Sequence, residues 1–170
     1  MMFKVLQTGS LVAAVVTTGL MAGLFAAFSY AVMPGLAKVG DRAFIDAMQR
    51  INVAIVNGWF MVSFMGALAF AGLAAALHWK ADDRSVLPWI VAGFVLYLVM
   101  FIITVAINVP MNDKLMAAGD PAKITDLAAV RTEFEARWVT WNIVRALTST
   151  AALGCLAWAL VLHGRVTGKG

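Results

Sequence analysis

The sequence predicts an all-α integral membrane protein: a four-transmembrane-helix bundle with amphipathic interfacial helices in the 1–2 and 3–4 connections. Three observations carry this. Of the 170 residues, 62% are hydrophobic and only 13% are charged, about half of the ~25% that a soluble domain carries. Mean hydropathy is +0.87. The apolar residues are gathered into four runs, each near the ~20 residues needed to cross ~30 Å of hydrocarbon. None alternates with the period of a strand, and each is too long to be one.

The first run, Leu11 to Met33, has no charged residue and meets Pro34-Gly35, a predicted helix stop. Lys4 ahead of it invites a signal-peptide reading. A signal's apolar core is only ~7–15 residues long, so the expectation is a retained span. The second run, Trp59 to Leu77, closes at His78-Trp79-Lys80, and the third, Leu87 to Val109, ends at Asn108-Val109-Pro110. The fourth, Trp138 to Leu162, contains one charge, Arg145. The expected spans are approximately 8–33, 59–79, 87–109 and 138–162, in a single domain over 1–170.

The connections differ. The second is short: Lys80, Asp82, Asp83 and Arg84, then Leu87-Pro88. In the first, Phe44, Ile45, Met48, Ile51 and Ile55 follow a helical period. In the third, Asp120-Pro121 reads as an N-cap with proline at the first position of a helix over 122–134. Small residues at four-residue steps (Gly19, Gly23, Ala27, Ala31; Ala67, Ala71, Ala75; Ala146, Thr150, Gly154) predict close packing within the bundle. The two long connections hold seven Lys and Arg against seven acids; the opposite end has five, Lys4, Lys80, Arg84, Arg165 and Lys169, in much shorter segments. Positive charge in short loops marks the inner face, which places this multi-pass protein in the cell membrane with both termini cytoplasmic.

Several chemistries are excluded or disfavoured. Cys155 has no partner for a disulfide. The basic charges sit at the ends of apolar runs instead of forming the stripe of a nucleic-acid binder. His78 and His163 fall at the end opposite the polar residues discussed next, read as interfacial caps, and are too few and too separated for zinc or haem. No metal is expected. There is no glycine-rich phosphate loop, no histidine placed for a Ser–His–acid triad, and no ring of charge for an ion channel.

Polar groups in a membrane need a reason. Arg145 lies seven residues past Trp138, ~10 Å into its span, where an arginine costs ~2.5–3.5 kcal/mol and must face the interior or snorkel. Asn142, Arg145 and Ser149 share one helical face. Thr104 and Asn108 precede Pro110, Met111 and Asn112. Gln49, Asn52, Asn57, Ser29 and Tyr30 belong to the same end, rimmed by Trp59, Trp138 and Trp141. One reading makes the tryptophans an interfacial belt and the amides caps. The other makes the cluster a polar recess under an amphipathic lid, shaped for a flat lipophile with one or two oxygens.

Four blocks in order carry a family resemblance: Gly23-Leu-Phe-Ala-Ala-Phe-Ser29 with Val32-Met33-Pro34-Gly35-Leu36; Phe44-x-x-Ala47-Met48-Gln49-x-Ile51-Asn52; Asn108-Val109-Pro110-Met111-Asn112; and Arg137-Trp138-x-x-Trp141-Asn142-x-x-Arg145. Together they resemble the anthrone-oxygenase-like membrane proteins over about 19–149. The resemblance implies oxidation of a lipophilic aromatic, anthrone- or quinone-like, by oxygen without a metal or flavin, and hence no cofactor. Arg145, Asn142 and Asn108 would be its catalytic groups, Arg145 holding an enolate oxygen. Asn112, Asn52, Gln49, Trp59, Trp138, Trp141 and Tyr30 would bind the substrate. The base is left among Asp113, Glu133 and Glu135. The alternative is a non-enzymatic lipophile binder or carrier, or an accessory subunit of a larger membrane complex. The expected partners are the lipid bilayer and a lipophilic small molecule, with no nucleic acid; a homo-oligomer stays open.

Overall fold

The computed structural model describes residues 2–79 and 85–168. Lys80, Asp82, Asp83, Arg84 and Lys169, which enter the charge argument above, lie outside the described residues. Among the described residues, four helices are long and apolar enough to cross a membrane: α1 (Met2–Leu36), α3 (Gly58–His78), α4 (Leu87–Ala117) and α5 (Leu127–Thr167). Between the first two lies α2 (Asp41–Ile55). At 1.5 Å per residue α3 is roughly 31 Å long, matching the hydrocarbon thickness. The other three are longer and project beyond it.

The spanning helices form an antiparallel ring in which α1 packs on α3 and α5, and α4 packs on α5 and α3. The buried apolar residues stack in three layers. Leu11, Ala71, Ile90 and Leu156 lie at the end of the termini, Met21, Phe64, Tyr97 and Ala152 in the middle, and Phe44, Met48, Leu115 and Phe134 at the end of the long connections. The most crowded glycine lies between α4 and α5. A Cβ added at Gly93 would stand 2.7 Å from Leu156 Cγ and 3.1 Å from the Ala152 carbonyl. Of the small-residue stripes, Ala67 and Ala71 are buried as expected, but Gly23, Ala31, Thr150 and Gly154 face outward. Neither Gly23 nor Gly154 has a neighbour within 4 Å of where its Cβ would be, so these residues do not pack the bundle.

The expected stop at Pro34 is not one. Residues Phe28–Val32 form a π-helical turn closed by Met33 N–H on the Phe28 carbonyl, and Met33–Leu36 continue the same rod. α4 repeats the device: Thr104–Asn108 are π-helical, Val109 N–H closes on the Thr104 carbonyl, and the helix runs through Pro110 to Ala117. Proline lacks an N–H for the carbonyl four residues back. Those carbonyls, of Tyr30 and Ala106, lie within the π turns, where the pairing has already shifted by one residue.

The third connection also differs from expectation. Asp120 accepts from Ala122 N–H at 2.9 Å in a local turn, and the N-cap is Asp126, which accepts from Ala129 N–H at 2.9 Å. The amphipathic segment and the fourth span are thus one helix of 41 residues. Gly119, at φ +81°, supplies the left-handed residue that ends α4.

α2 lies over this end. Phe44, Ile45 and Met48 are fully buried, and Phe44 meets Phe134 edge-on at 6.2 Å. Arg131 pins the approach to α2. It donates to the Ala37 and Val39 carbonyls, pairs with Asp41 at 3.0 Å and Glu135 at 2.6 Å, and covers the Phe44 ring. Gln49 Nε2 donates to the Leu115 and Gly119 carbonyls, at 2.9 Å each.

At the opposite end the two histidines are not separate caps. Both are buried, and His78 Nε2 lies 3.2 Å from His163 Nδ1. His78 Nδ1 meets the Ala74 carbonyl at 2.7 Å, and His163 Nε2 meets Thr8 Oγ1 at 2.9 Å. A carbonyl only accepts, so His78 Nδ1 carries a proton. α3 and α5 run in the same direction across the diagonal of the ring, so their C-terminal ends bring the two rings level, which spacing along the sequence does not reveal.

Candidate functional site

Beneath α2, the four spanning helices enclose a cavity of about 340 Å³, within the range of small-molecule sites. Its inner wall comes from Phe25 and Phe28 of α1 and Trp138, Asn142 and Arg145 of α5. Phe60 and Phe64 of α3 and Thr104 and Asn112 of α4 complete it, with Ile51 and Asn52 of α2 as the roof.

Arg145 faces inward, 5% exposed, so it does not snorkel. Its Nη2 donates to Asn142 Oδ1 at 2.9 Å, and its guanidinium lies 4.5 Å from the centre of the Phe25 ring and 5.3 Å from that of Trp138. Nε has no partner, and among the described residues no carboxylate lies within ion-pairing distance. Asn142 is held in turn, its Nδ2 donating to the Phe25 carbonyl at 2.9 Å and to Ser29 Oγ at 2.8 Å. Both partners lie where α1 enters its π turn. Trp138 Nε1 donates to Asn112 Oδ1 at 2.8 Å, joining α5 to the helix beyond Pro110. The result is a cation without a counter-ion, fixed on aromatic faces at the inner wall of an apolar cavity. That arrangement suits an anionic oxygen on a flat ligand.

The structure brings Arg145, Asn142, Asn112, Asn52 and Trp138 to one cavity. Asn108 is fully buried with neither side-chain atom paired. It sits in the same π turn as Thr104 and does not line the cavity. The remaining expected substrate contacts fall elsewhere. Gln49 clamps α2 to the end of α4. Trp59, in the first turn of α3, is 87% exposed. Tyr30, in the π turn, is 73% exposed and borders an outer groove with Ile143 and Leu147. Trp141 is half-buried and outside the cavity. Two pairs absent from the sequence-based expectation, Phe25 with Phe28 and Phe60 with Phe64, form aromatic walls. Their three- and four-residue spacings, each marking one helix face, were the available signal.

Of the three carboxylates in question, Glu133 pairs with Lys114 and Glu135 with Arg131. Asp113 has no ion pair among the described residues and borders the cavity. No cluster of three or more metal-ligating side chains occurs among the described residues.

A family profile described as anthrone oxygenase matches residues 59–155, more than half of the chain. The chain belongs to the anthrone oxygenase family. The matched part supplies Thr104, Asn112, Trp138, Asn142 and Arg145, and the α1 and α2 walls of this family member's cavity lie ahead of it. No curated protein and no solved structure gives a significant match.

Proposed function

We propose that the protein is a membrane-embedded oxygenase acting on a lipophilic aromatic, anthrone- or quinone-like, without a metal or flavin. The observation that carries this is Arg145, a buried cation facing an apolar cavity with no carboxylate in ion-pairing distance among the described residues. An anthrone is a carbon acid whose enolate oxygen would provide the missing negative charge. Preorganised stabilisation of such a charge is commonly the largest catalytic contribution. Asn142 orients the guanidinium, Phe25 and Trp138 flank it, and Asn112 and Asn52 offer amides to other oxygens on the ligand. Asp113 takes the part of base.

In the reaction, the methylene between the rings loses a proton to the base. One electron of the enolate passes to dioxygen, and the radicals combine to form a C–O bond. The resulting peroxide anion takes the proton back from the base, and the hydroperoxide then loses water, leaving a carbonyl. One oxygen atom enters the product and the other becomes water.

The test is oxygen uptake by the purified protein with 1,8-dihydroxyanthrone, beside Arg145→Ala. Uptake lost in the variant supports the proposal; equal rates, or no rate above buffer, would sink it. Anthrone binding without turnover would leave a lipophile binder or carrier instead. On charge density, both termini are placed in the cytoplasm. Labelling of an engineered C-terminal cysteine by an impermeant reagent added to intact cells would overturn that placement.

A further inference from the structure

The cavity is walled unequally. Its α1 and α5 sides are built from buried residues, Phe25, Phe28, Trp138, Asn142 and Arg145. Its opposite border, between the start of α3 and the outer part of α4, consists of exposed apolar side chains: Val53, Val56 and Met61 on one edge, Val105, Val109 and Met116 on the other. A mouth used from water would carry polar groups along this edge. Apart from Arg145 on the inner wall, the one charged lining residue among the described residues is Asp113, exposed on α4 between Val109 and Met116.

The mouth has a defined limit and depth. Deeper in the bundle the α3–α4 seam is closed, with Tyr97 Oη donating to the Phe64 carbonyl at 3.0 Å and Phe64 stacked on Phe101 at 4.9 Å. The seam opens where α4 enters its π turn at Thr104. Met61 lies ~5 Å into α3 from its start, and Val105 ~27 Å into α4 from Leu87. The gap therefore falls in the outer hydrocarbon and headgroup boundary of one leaflet, where an amphiphilic aromatic resides.

We infer that the ligand of the Arg145 cavity enters and leaves sideways from the bilayer, through the gap between α3 and α4. This rests on the cavity being a lipophile site and specifies its ligand further. The oxygen-bearing end enters first and reaches Arg145. Any alkyl or aromatic extension trails out through the gap into lipid, so ligands with apolar tails are accepted, and ligands charged at the trailing end are excluded.

The experiment uses the protein in lipid nanodiscs under argon, with 1,8-dihydroxyanthrone as probe and stopped-flow quenching of tryptophan fluorescence as readout. Val105→Phe and Val109→Phe narrow the gap without touching the inner wall. Each is expected to slow both association and dissociation about tenfold, a barrier change near 1.4 kcal/mol, while Kd stays within about threefold of wild type. In the wild type, association should follow the probe's mole fraction in the bilayer as lipid is added at constant total probe. Unchanged rates in folded variants, or wild-type association that follows the aqueous concentration, would overturn lateral entry and leave the cavity's role standing. No binding to the wild type would remove both.

Discussion

Replacing Arg145 with methionine separates a catalytic cation from a structural anchor, because the two roles predict opposite outcomes. The substitution keeps most of the side-chain volume and removes the charge. Lost are cation–π contacts with Phe25 and Trp138, ~0.5–2 kcal/mol each. Asn142 Oδ1 also loses its donor, at ~1–3 kcal/mol. Against this, a buried cation without an ion pair is removed, and its desolvation penalty is several kcal/mol. The terms offset, so unfolding in mild detergent should shift by no more than ~2 kcal/mol in either direction. Oxygen uptake with the anthrone should fall by roughly 10²–10³, the loss expected when one donor to a developing oxyanion is removed. A stability loss of ~3–5 kcal/mol, as when a buried pair is broken, combined with an unchanged rate per folded molecule, would refute the reasoning and make Arg145 an anchor.

Gly93→Val should destabilise by about 1–3 kcal/mol through overpacking against Leu156 and the Ala152 carbonyl, read as a lower unfolding midpoint. Gln49→Leu removes the donor shared by the Leu115 and Gly119 carbonyls; amide exchange at 115–119 should quicken, by about tenfold for a loss of ~1.4 kcal/mol in local stability. Trp138→Phe keeps a smaller aromatic ring and removes the bond to Asn112; at least about 1 kcal/mol of stability should go, with KM rising more than kcat falls. For the histidines, His163→Leu should cost more stability than the double change His78→Leu/His163→Leu, because the single variant strands His78 Nε2 in an apolar layer. A double-mutant cycle without coupling would show that the pair contributes nothing.

The fold class and the four long helices were legible because hydropathy reports directly on the solvent around a helix. The end of the bundle that holds the cavity was legible too, since asparagines and an arginine inside apolar runs are costly unless they face inward. Contacts made by register between distant helices were not. Nothing in the spacing of His78 and His163 says that their rings meet, and nothing at Gly93 marks it as the most crowded glycine, while Gly23 and Gly154, each in a conspicuous small-residue stripe, face outward. The resemblance implies substrate contacts at Trp59 and Tyr30, yet a helix face decides whether an aromatic side chain points into the bundle, and both are exposed. Proline reads as punctuation at Pro34 and Pro110, and the local geometry that tolerates it is a backbone effect with no side-chain signature.

Each π turn inserts one residue beyond what an α-helix needs, and one residue is ~100° of rotation about the helix axis. Everything beyond Val32 in α1 and beyond Asn108 in α4 is therefore phased differently from the apolar run before it. Asn112 meets Trp138 in that rotated frame. Deleting a single residue from Thr104–Asn108 would leave hydropathy and length almost untouched, yet it would swing Asn112 and Asp113 a quarter turn or more around the rod. The chemistry of the cavity thus hangs on a counting error built into two helices, and a variant that corrected it would still be a membrane bundle with its polar residues facing the wrong neighbours.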